Sequence, residues 1–560
     1  MRIHFKELER VLRRLDGRPY RLYKRLYDIK ITYEYGVGYL TKIQGDPHAP
    51  PSTLEVKIPK EVHQLPSEYL SNFKYYIPIS DYVTRHIYEI TRKLRRKCGT
   101  GNSCYIGIPR PGPWILMRSS AEIQGNDLTI RLYVGLPAVG RRISSKNAIK
   151  LLGNDVNEVI KYVVSAVNTN FNALKKHVEL YLDHEFLRSW IASRGYIAFI
   201  PNGAILPRES SISLKPLRNA VKFKSPESMK VKVKLPSGKV VSGMALPRGL
   251  IVLTGGAYHG KTTLLNSIIE GIYNHIEGDG REFLVSNRST MYVRAEDGRM
   301  VTCVDISNLI GRLPNGTDTS RFSTLNASGS TSMAASLSES LELGVKVLLI
   351  DEDTSATNLL YKDEYMTKII VDEPIKPLSY VLRSLINTFG ISLVIVSSAS
   401  SSFIPCATKV IEMIKYEPKD ITEEFKRLMA YRSCSDLMAV KPVKERIFGG
   451  IKDLKRVKAS GFRLNFRYQS GEEFQLDLRL NPRIVEPGQV KLICKIITKL
   501  AKVRKPFKVR DIVNYVNSEL RSKKFKAFTD IVTPDLTMVD GLDVVWTLNR
   551  VYKAVFNIPD

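Results

Sequence analysis

Residues 249–265 read GLIVLTGGAYHGKTTLL, and Gly255, Gly260, Lys261 and Thr262 within them satisfy G-x-x-x-x-G-K-[ST]. The motif lies between an apolar strand, Leu250–Thr254, and a helix predicted over 263–273, so motif and context agree. Glycines let backbone N–H groups converge on phosphate oxygens at a helix N-terminus, where the helix dipole also favours an anion. This reading assigns Gly255, Gly256, Gly260, Lys261, Thr262 and Thr263 to the phosphates of ATP, with the Lys261 ammonium on the terminal phosphates and the Thr262 hydroxyl on Mg²⁺.

Working outward, the second half of such a site is an apolar strand ending in carboxylates, and VKVLLIDED at 345–353 supplies it. Asp351 is expected to act on Mg²⁺, and Glu352 stands where a carboxylate polarises the attacking water. Between the two motifs, NASGSTS at 326–332 reads as a Ser-Gly turn opening a helix. Ser328 and Gly329 match the Ser-Gly pair of the signature segment of ABC ATPases, where a serine and a helix N-terminus from one subunit meet the γ-phosphate held by the other. The run 353–358, beginning at Asp353, is similar to the ABC D-loop.

Taken together, these motifs resemble the stand-alone predicted ATPases of the ABC class, found in archaea, bacteria and some eukaryotic organelles. The resemblance extends through YNHIEGDGRE (273–282), VRAEDGR (293–299), DTSRFST (318–324) and LLIDEDTSATN (348–358). It continues in the flanks through LDGRPYRLYK (15–24), QGDPHAPPS (44–52), VGLPAVGRRI (134–143), AFIPNGAILPR (198–208) and TLNR (547–550), and is weakest over 445–540. It implies an ATPase that works as a homodimer enclosing two ATP molecules with Mg²⁺, with Lys261, Asp351 and Glu352 as the catalytic set. The expected fold is α/β: an ABC-type P-loop domain over 216–439, a basic α+β region over 1–215 and a small basic domain over 440–560. Two departures stand out. No Gln lies between P-loop and signature segment, leaving Glu296 or Asp297 as candidates for that role. Ser397, Ser398, Ala399 and Ser400 stand where transporters carry a switch histidine and where the family has Gly-Asp-Tyr. His259, inside the P-loop, is read either as a contact to nucleotide or partner or as a packing residue.

The net charge of +29 is unevenly spread: +22 over residues 1–250, −5 over 251–440 and +12 over 441–560. A positive field confined to the flanks implies an anionic polymer, nucleic acid and RNA in particular. Candidate contacts are Arg95 and Arg96 in the run 92–97, Arg141 and Arg142, the run 502–510, and Lys523, Lys524 and Lys526 beside Phe525 and Phe528, with Phe507 in the earlier run. Apolar runs such as 345–350 are far short of the ~20 residues that span a bilayer. The expected location is therefore cytoplasmic. Six cysteines without a C-x-x-C indicate neither a disulfide framework nor a zinc site, and Cys98 and Cys104, although they flank a Gly-rich turn, are read as free thiols. Rival readings are a transporter motor subunit and an ATP-gated assembly module without turnover.

Overall fold

The computed structural model describes residues 2–429, 434, 438–502 and 506–559. They gather into two compact units: Met1–Tyr181 with Glu486–Leu492 and Glu519–Met538, and Leu182–Val485 with Ile493–Ser518 and Val539–Asp560. Residues after 440 are thus divided between the units. Within the basic run 502–510, residues 503–505 lie outside the described residues.

The first unit is built on a largely antiparallel sheet in which Lys30–Tyr33, Gly36–Lys42, Ser52–Ile58 and Asp127–Val134 are successive neighbours, with Ala121–Gln124 paired to the last. A helix runs over Phe73–Leu94, and the Asn72 side chain caps it by accepting from the Lys74 N–H at 3.0 Å. Buried arginines tie the unit together. Arg131 is fully buried between Glu55, at 2.7 Å, and Glu122. Arg118 reaches both Asp81 and Glu486, and Ser119 Oγ donates to the Thr533 carbonyl at 2.6 Å, which holds the two late segments to the early ones. Cys98 and Cys104 are disulfide-bonded, as are Cys406 and Cys434 in the second unit. This corrects the free-thiol reading: the turn at 99–103 brings the first pair to a Cα separation of 5.7 Å, within reach of a bridge.

The second unit contains the P-loop fold. Its six-stranded sheet comprises β1 (Leu250–Thr254), β2 (Thr290–Val293), β3 (Val347–Asp351), β4 (Ser392–Val396), β5 (Lys409–Ile414) and β6 (Glu417–Asp420). Their order is β2-β3-β4-β1-β5-β6, parallel except for the terminal hairpin. Strands covered on both faces read as unbroken apolar runs, which is why β1 and β3 were legible without alternation. Helices α1 (Lys261–Glu270), α2 (Gly329–Glu342) and α3 (Leu378–Phe389) follow β1, precede β3 and precede β4. Leu264, Leu265 and Ile268 of α1 pack on Ile251, Leu253, Leu349 and Val394.

A four-stranded antiparallel sheet, ordered Lys230–Lys234, Val240–Pro247, Tyr196–Pro201 and Val285–Ser286, adjoins this core in sequence. A three-stranded antiparallel sheet is formed by Leu454–Ser460, Arg463–Tyr468 and Glu473–Asp477. The motif at 273–282 forms a buried polar knot. His275 Nδ1 and an Asp279 oxygen are hydrogen-bonded at 2.7 Å, Arg208 donates to Asp279 at 2.8 Å, and Arg281 pairs with Glu270. Its polar residues are spent on one another, as burial requires.

Candidate nucleotide site

The loop from β1 to α1 depends on two glycines. Gly255 has φ +122° and Gly260 φ +95°, and a Cβ on Gly255 would lie 2.5 Å from the Met413 carbonyl oxygen. Only glycine meets both demands. Lys261 Nζ donates to the carbonyls of Gly255 (2.8 Å) and Gly256 (2.7 Å), so the ammonium lies across the loop. His259 hydrogen-bonds the Met413 carbonyl through Nδ1 at 3.1 Å, which ties the loop to the end of β5.

Thr262 Oγ1 donates to Asp351 Oδ2 at 2.8 Å, joining the start of α1 to the buried end of β3. A hydroxyl and a carboxylate oxygen this close form a hard, oxygen-only pair that fits Mg²⁺. Among the described residues no cluster of three or more His, Cys, Asp or Glu could hold a metal. The remaining positions of an octahedral ion would therefore fall to phosphate and water, the usual arrangement for magnesium. The other Asp351 oxygen accepts from the Asp353 N–H at 3.2 Å, and so shapes the turn that carries Glu352.

Glu352 is held on three sides. Its Oε1 accepts from the Tyr361 hydroxyl at 2.7 Å, and its Oε2 from the backbone N–H groups of Ser398 (2.7 Å) and Ala399 (3.2 Å). Main-chain donors after β4 thus take hold of the carboxylate where a switch histidine was sought, and Tyr361 supplies the side-chain donor. Burial and the bond to Glu352 push the Tyr361 phenol up to about 12, so at neutral pH it keeps its proton and donates. No motif spacing marks Tyr361. The only hint was the missing histidine.

Ser328 caps α2, its hydroxyl accepting from the Thr331 N–H at 3.4 Å, and a Cβ on Gly329 would stand 3.1 Å from an Asp297 oxygen. Ser330 Oγ donates to Asn358 Oδ1 at 2.8 Å, linking the signature turn to the D-loop. Among the described residues no hydrogen bond joins Ser328 or Gly329 to the P-loop. Glu296 has no freedom to act as a nucleotide ligand: it is buried and paired with Arg550, while Arg299 binds Glu339 and Ser336 of α2. Burial alone would raise the Glu296 carboxyl, but Arg550 and Arg299 outweigh it and hold it below the usual range. Asp297, next to it, is exposed.

Beside Gly260 and Thr263 opens an apolar slot of about 230 Å³, lined among others by Leu217, Phe223, Met413 and Tyr416.

The basic candidates fare unequally. Arg141, Arg142, Lys523 and Lys526 are exposed, Arg141 lying 3.2 Å from Asp46, Arg142 donating to the Gly17 carbonyl and Lys523 lying 3.0 Å from Glu519. Arg95 stacks on Tyr105, and Arg96 pairs with Asp155 at 2.5 Å. Lys524 is engaged inside its own unit by the Ile123 carbonyl and the Tyr76 ring, and burial lowers its proton affinity. Phe525 and Phe528, read as stacking rings, are 0% and 6% exposed. They are core residues, because the short helix Lys524–Ala527 turns its apolar positions inward.

Comparison with known proteins gives two family matches. Residues 170–445 match the ABC_ATPase model, described as a P-loop domain, and residues 5–166 match ABC_N, described as ATPase of the ABC class N-terminal. The uncharacterized protein MJ1628 of Methanocaldococcus jannaschii is 31% identical over 221 residues, which are 36% of this chain and 49% of that protein. The chain thus spans about half the length of that relative. Among solved structures, cbiO1 from Clostridium perfringens, part of the ABC transporter complex cbiONQ, matches over 42% of this chain and 91% of its own at 13% identity, with a TM-score of 0.25.

Proposed function

Because this chain belongs to the stand-alone ATPases of the ABC class, we propose that it binds ATP with Mg²⁺ at the loop 255–263, hydrolyses it between two copies of the chain, and couples closure to work on nucleic acid, RNA in particular. The observation that carries the hydrolytic reading is the joint placement of Thr262 against Asp351 and of Glu352 among three donors. When bound, Mg²⁺ would be held by Thr262 and Asp351, and would neutralise phosphate charge. Lys261 is then free to leave the loop carbonyls for the terminal phosphates. Glu352, fixed by Tyr361 and the 398–399 backbone, keeps one acceptor position on Oε1 through which it orients water and takes its proton. The slot lined by Phe223 and Tyr416 suits an aromatic base. Ser328 and Gly329 serve the site of the second copy, and Asp353 belongs to the loop between the copies.

The nucleic-acid half rests on charge: the excess positive charge lies wholly outside residues 251–440. The transporter-motor rival has less support, since a family-specific region occupies residues 5–166. ATP binding and phosphate release by the purified chain test the proposal. Lys261→Ala should abolish tight ATP binding. Glu352→Gln should retain binding and lower hydrolysis at least about tenfold, roughly 1.4 kcal/mol of barrier. ATP affinity unchanged in Lys261→Ala would remove the site, and undiminished phosphate release in Glu352→Gln would remove the assigned base. ATP binding without phosphate release in the wild type would favour the assembly module.

A further inference from the structure

We propose that Arg294 is a further catalytic residue of the nucleotide site, its guanidinium taking hold of the terminal phosphate of bound ATP. The inference rests on the ATP reading above and adds to it a second cation beside Lys261.

The carrying observation is a guanidinium without a partner. Among the described residues four arginines have a buried side-chain nitrogen that makes no hydrogen bond: Arg96, Arg131, Arg188 and Arg294. Arg96 pairs with Asp155, Arg131 with Glu55 and Glu122, and Arg188 donates to the Gly271 carbonyl and to Asn274. Arg294 alone of the four holds neither a hydrogen bond nor an ion pair, although its Nε is buried. A charged donor withdrawn from water without a partner costs free energy, and an anion that binds there offsets that cost.

Strand register places this group beside Asp351. Val293, the last residue of β2, pairs with Ile350 in the parallel ladder to β3, so Arg294 and Asp351 are the next residues along the two chains. Side chains alternate along a strand, which puts Arg294 on the face of Tyr292 and Asp351 on that of Leu349. Tyr292 and Leu349 both belong to the apolar layer that α1 covers, the face on which Asp351 meets Thr262. The Ala295 N–H donates to the Thr354 carbonyl at 2.9 Å and stitches the chain after Arg294 to the turn after Asp351. Burial raises the Tyr292 phenol against its bond to Thr354; Asp351 and Asp353 raise it further and Arg294 lowers it, so ring, guanidinium and both carboxylates share one neighbourhood. Glu296, the nearest acid along the chain, is held by Arg550 and forms no ion pair with Arg294.

In hydrolysis, water oriented by Glu352 adds to the γ-phosphorus and gives its proton to that carboxylate, while the bond to the bridging oxygen breaks and its electron pair leaves on ADP. Negative charge is spread over the phosphoryl oxygens in transit, and a guanidinium already in place stabilises it. Its planar fork suits two phosphate oxygens at once.

The test uses the full chain with Mg²⁺, and ADP and a non-hydrolysable ATP analogue as equilibrium probes. Arg294→Gln should weaken the analogue at least about tenfold and ADP less than about twofold, because only the analogue carries a γ-phosphate, and should lower kcat at least about hundredfold. No bond is lost in the free chain, so the variant should unfold at the wild-type urea concentration. If it unfolds earlier, Arg294→Met, which keeps the apolar stem, takes its place under the same criteria. Equal weakening of both nucleotides overturns the proposal, since the charge then acts on the phosphates in general. Undiminished analogue binding or turnover also overturns it, and reduces Arg294 to a counter-charge for Asp351 and Asp353. Each of these results leaves the ATP reading standing if Lys261→Ala still abolishes binding. A wild-type chain that binds neither nucleotide ends both.

Discussion

Among single residues, Tyr361 is the one whose role the structure changes most. A carboxylate that orients water must be fixed in rotation yet keep an acceptor position open. Two backbone donors hold Oε2 of Glu352, while Tyr361 alone holds Oε1, the oxygen left to face water. Tyr361→Phe retains the edge contact with Phe403 and should fold normally. It should lower kcat about tenfold with little change in KM, since the interaction lost acts on the water rather than on bound ATP. In the Glu352→Gln background the same change should cost almost nothing more, because both act through one group. Phosphate-release kinetics of the four proteins check this, and additive losses would reduce Tyr361 to a packing residue.

At the scale of elements, the signature helix α2 is set by charges from distant parts of the chain. Arg299 reaches Ser336 and Glu339 on α2, Arg550 joins Glu296 and Ser336, and Arg446 grips Glu342 near the end of the helix. This accounts for two stretches of the resemblance, VRAEDGR and TLNR: they meet in one buried cluster. Arg550→Ala strands the Glu296 carboxylate in that interior and should destabilise the chain by about 3–5 kcal/mol, the usual consequence of removing one partner of a buried pair. Urea unfolding measures it. Arg550 touches no P-loop atom, so the folded fraction should still bind ATP, and a loss below about 1 kcal/mol would mean that the cluster is not a structural tie.

For the molecule as a whole, the first unit is assembled from three stretches of chain, and its charged joints make it sensitive to acid. Burial pushes the Asp81 carboxyl up, but Arg85 and Arg118 outweigh it and leave it below the usual range; Glu486 is likewise held low by Arg118 against burial. Carboxyls depressed in the folded state stabilise it fully above their unfolded values near 4. That stability is lost as pH falls through the folded values. The urea midpoint of the first unit should therefore begin to drop below about pH 5 and keep falling as the pH is lowered towards the folded values, and Asp81→Asn should be less stable at pH 7 with a shallower acid dependence. An equal acid slope in wild type and variant would show that Asp81 does not carry the dependence.

What the sequence by itself determined is whatever depends on neighbours in the chain. The P-loop glycines, the apolar strands β1 and β3, the Asp351–Glu352 pair and the turn at Ser328 were legible because their backbone geometry is written locally, and together they were enough to name the family. Tertiary structure decided everything that depends on partners far along the chain. Glu296, a candidate ligand by position, is claimed by Arg550 across 254 residues, and Lys524 by Ile123 across 401. Phe525 and Phe528 look like stacking rings beside lysines until burial places them in the core. Only folding brings the Tyr361 hydroxyl to Glu352, because hydrogen bonds and desolvation act through space while motifs are read along the chain.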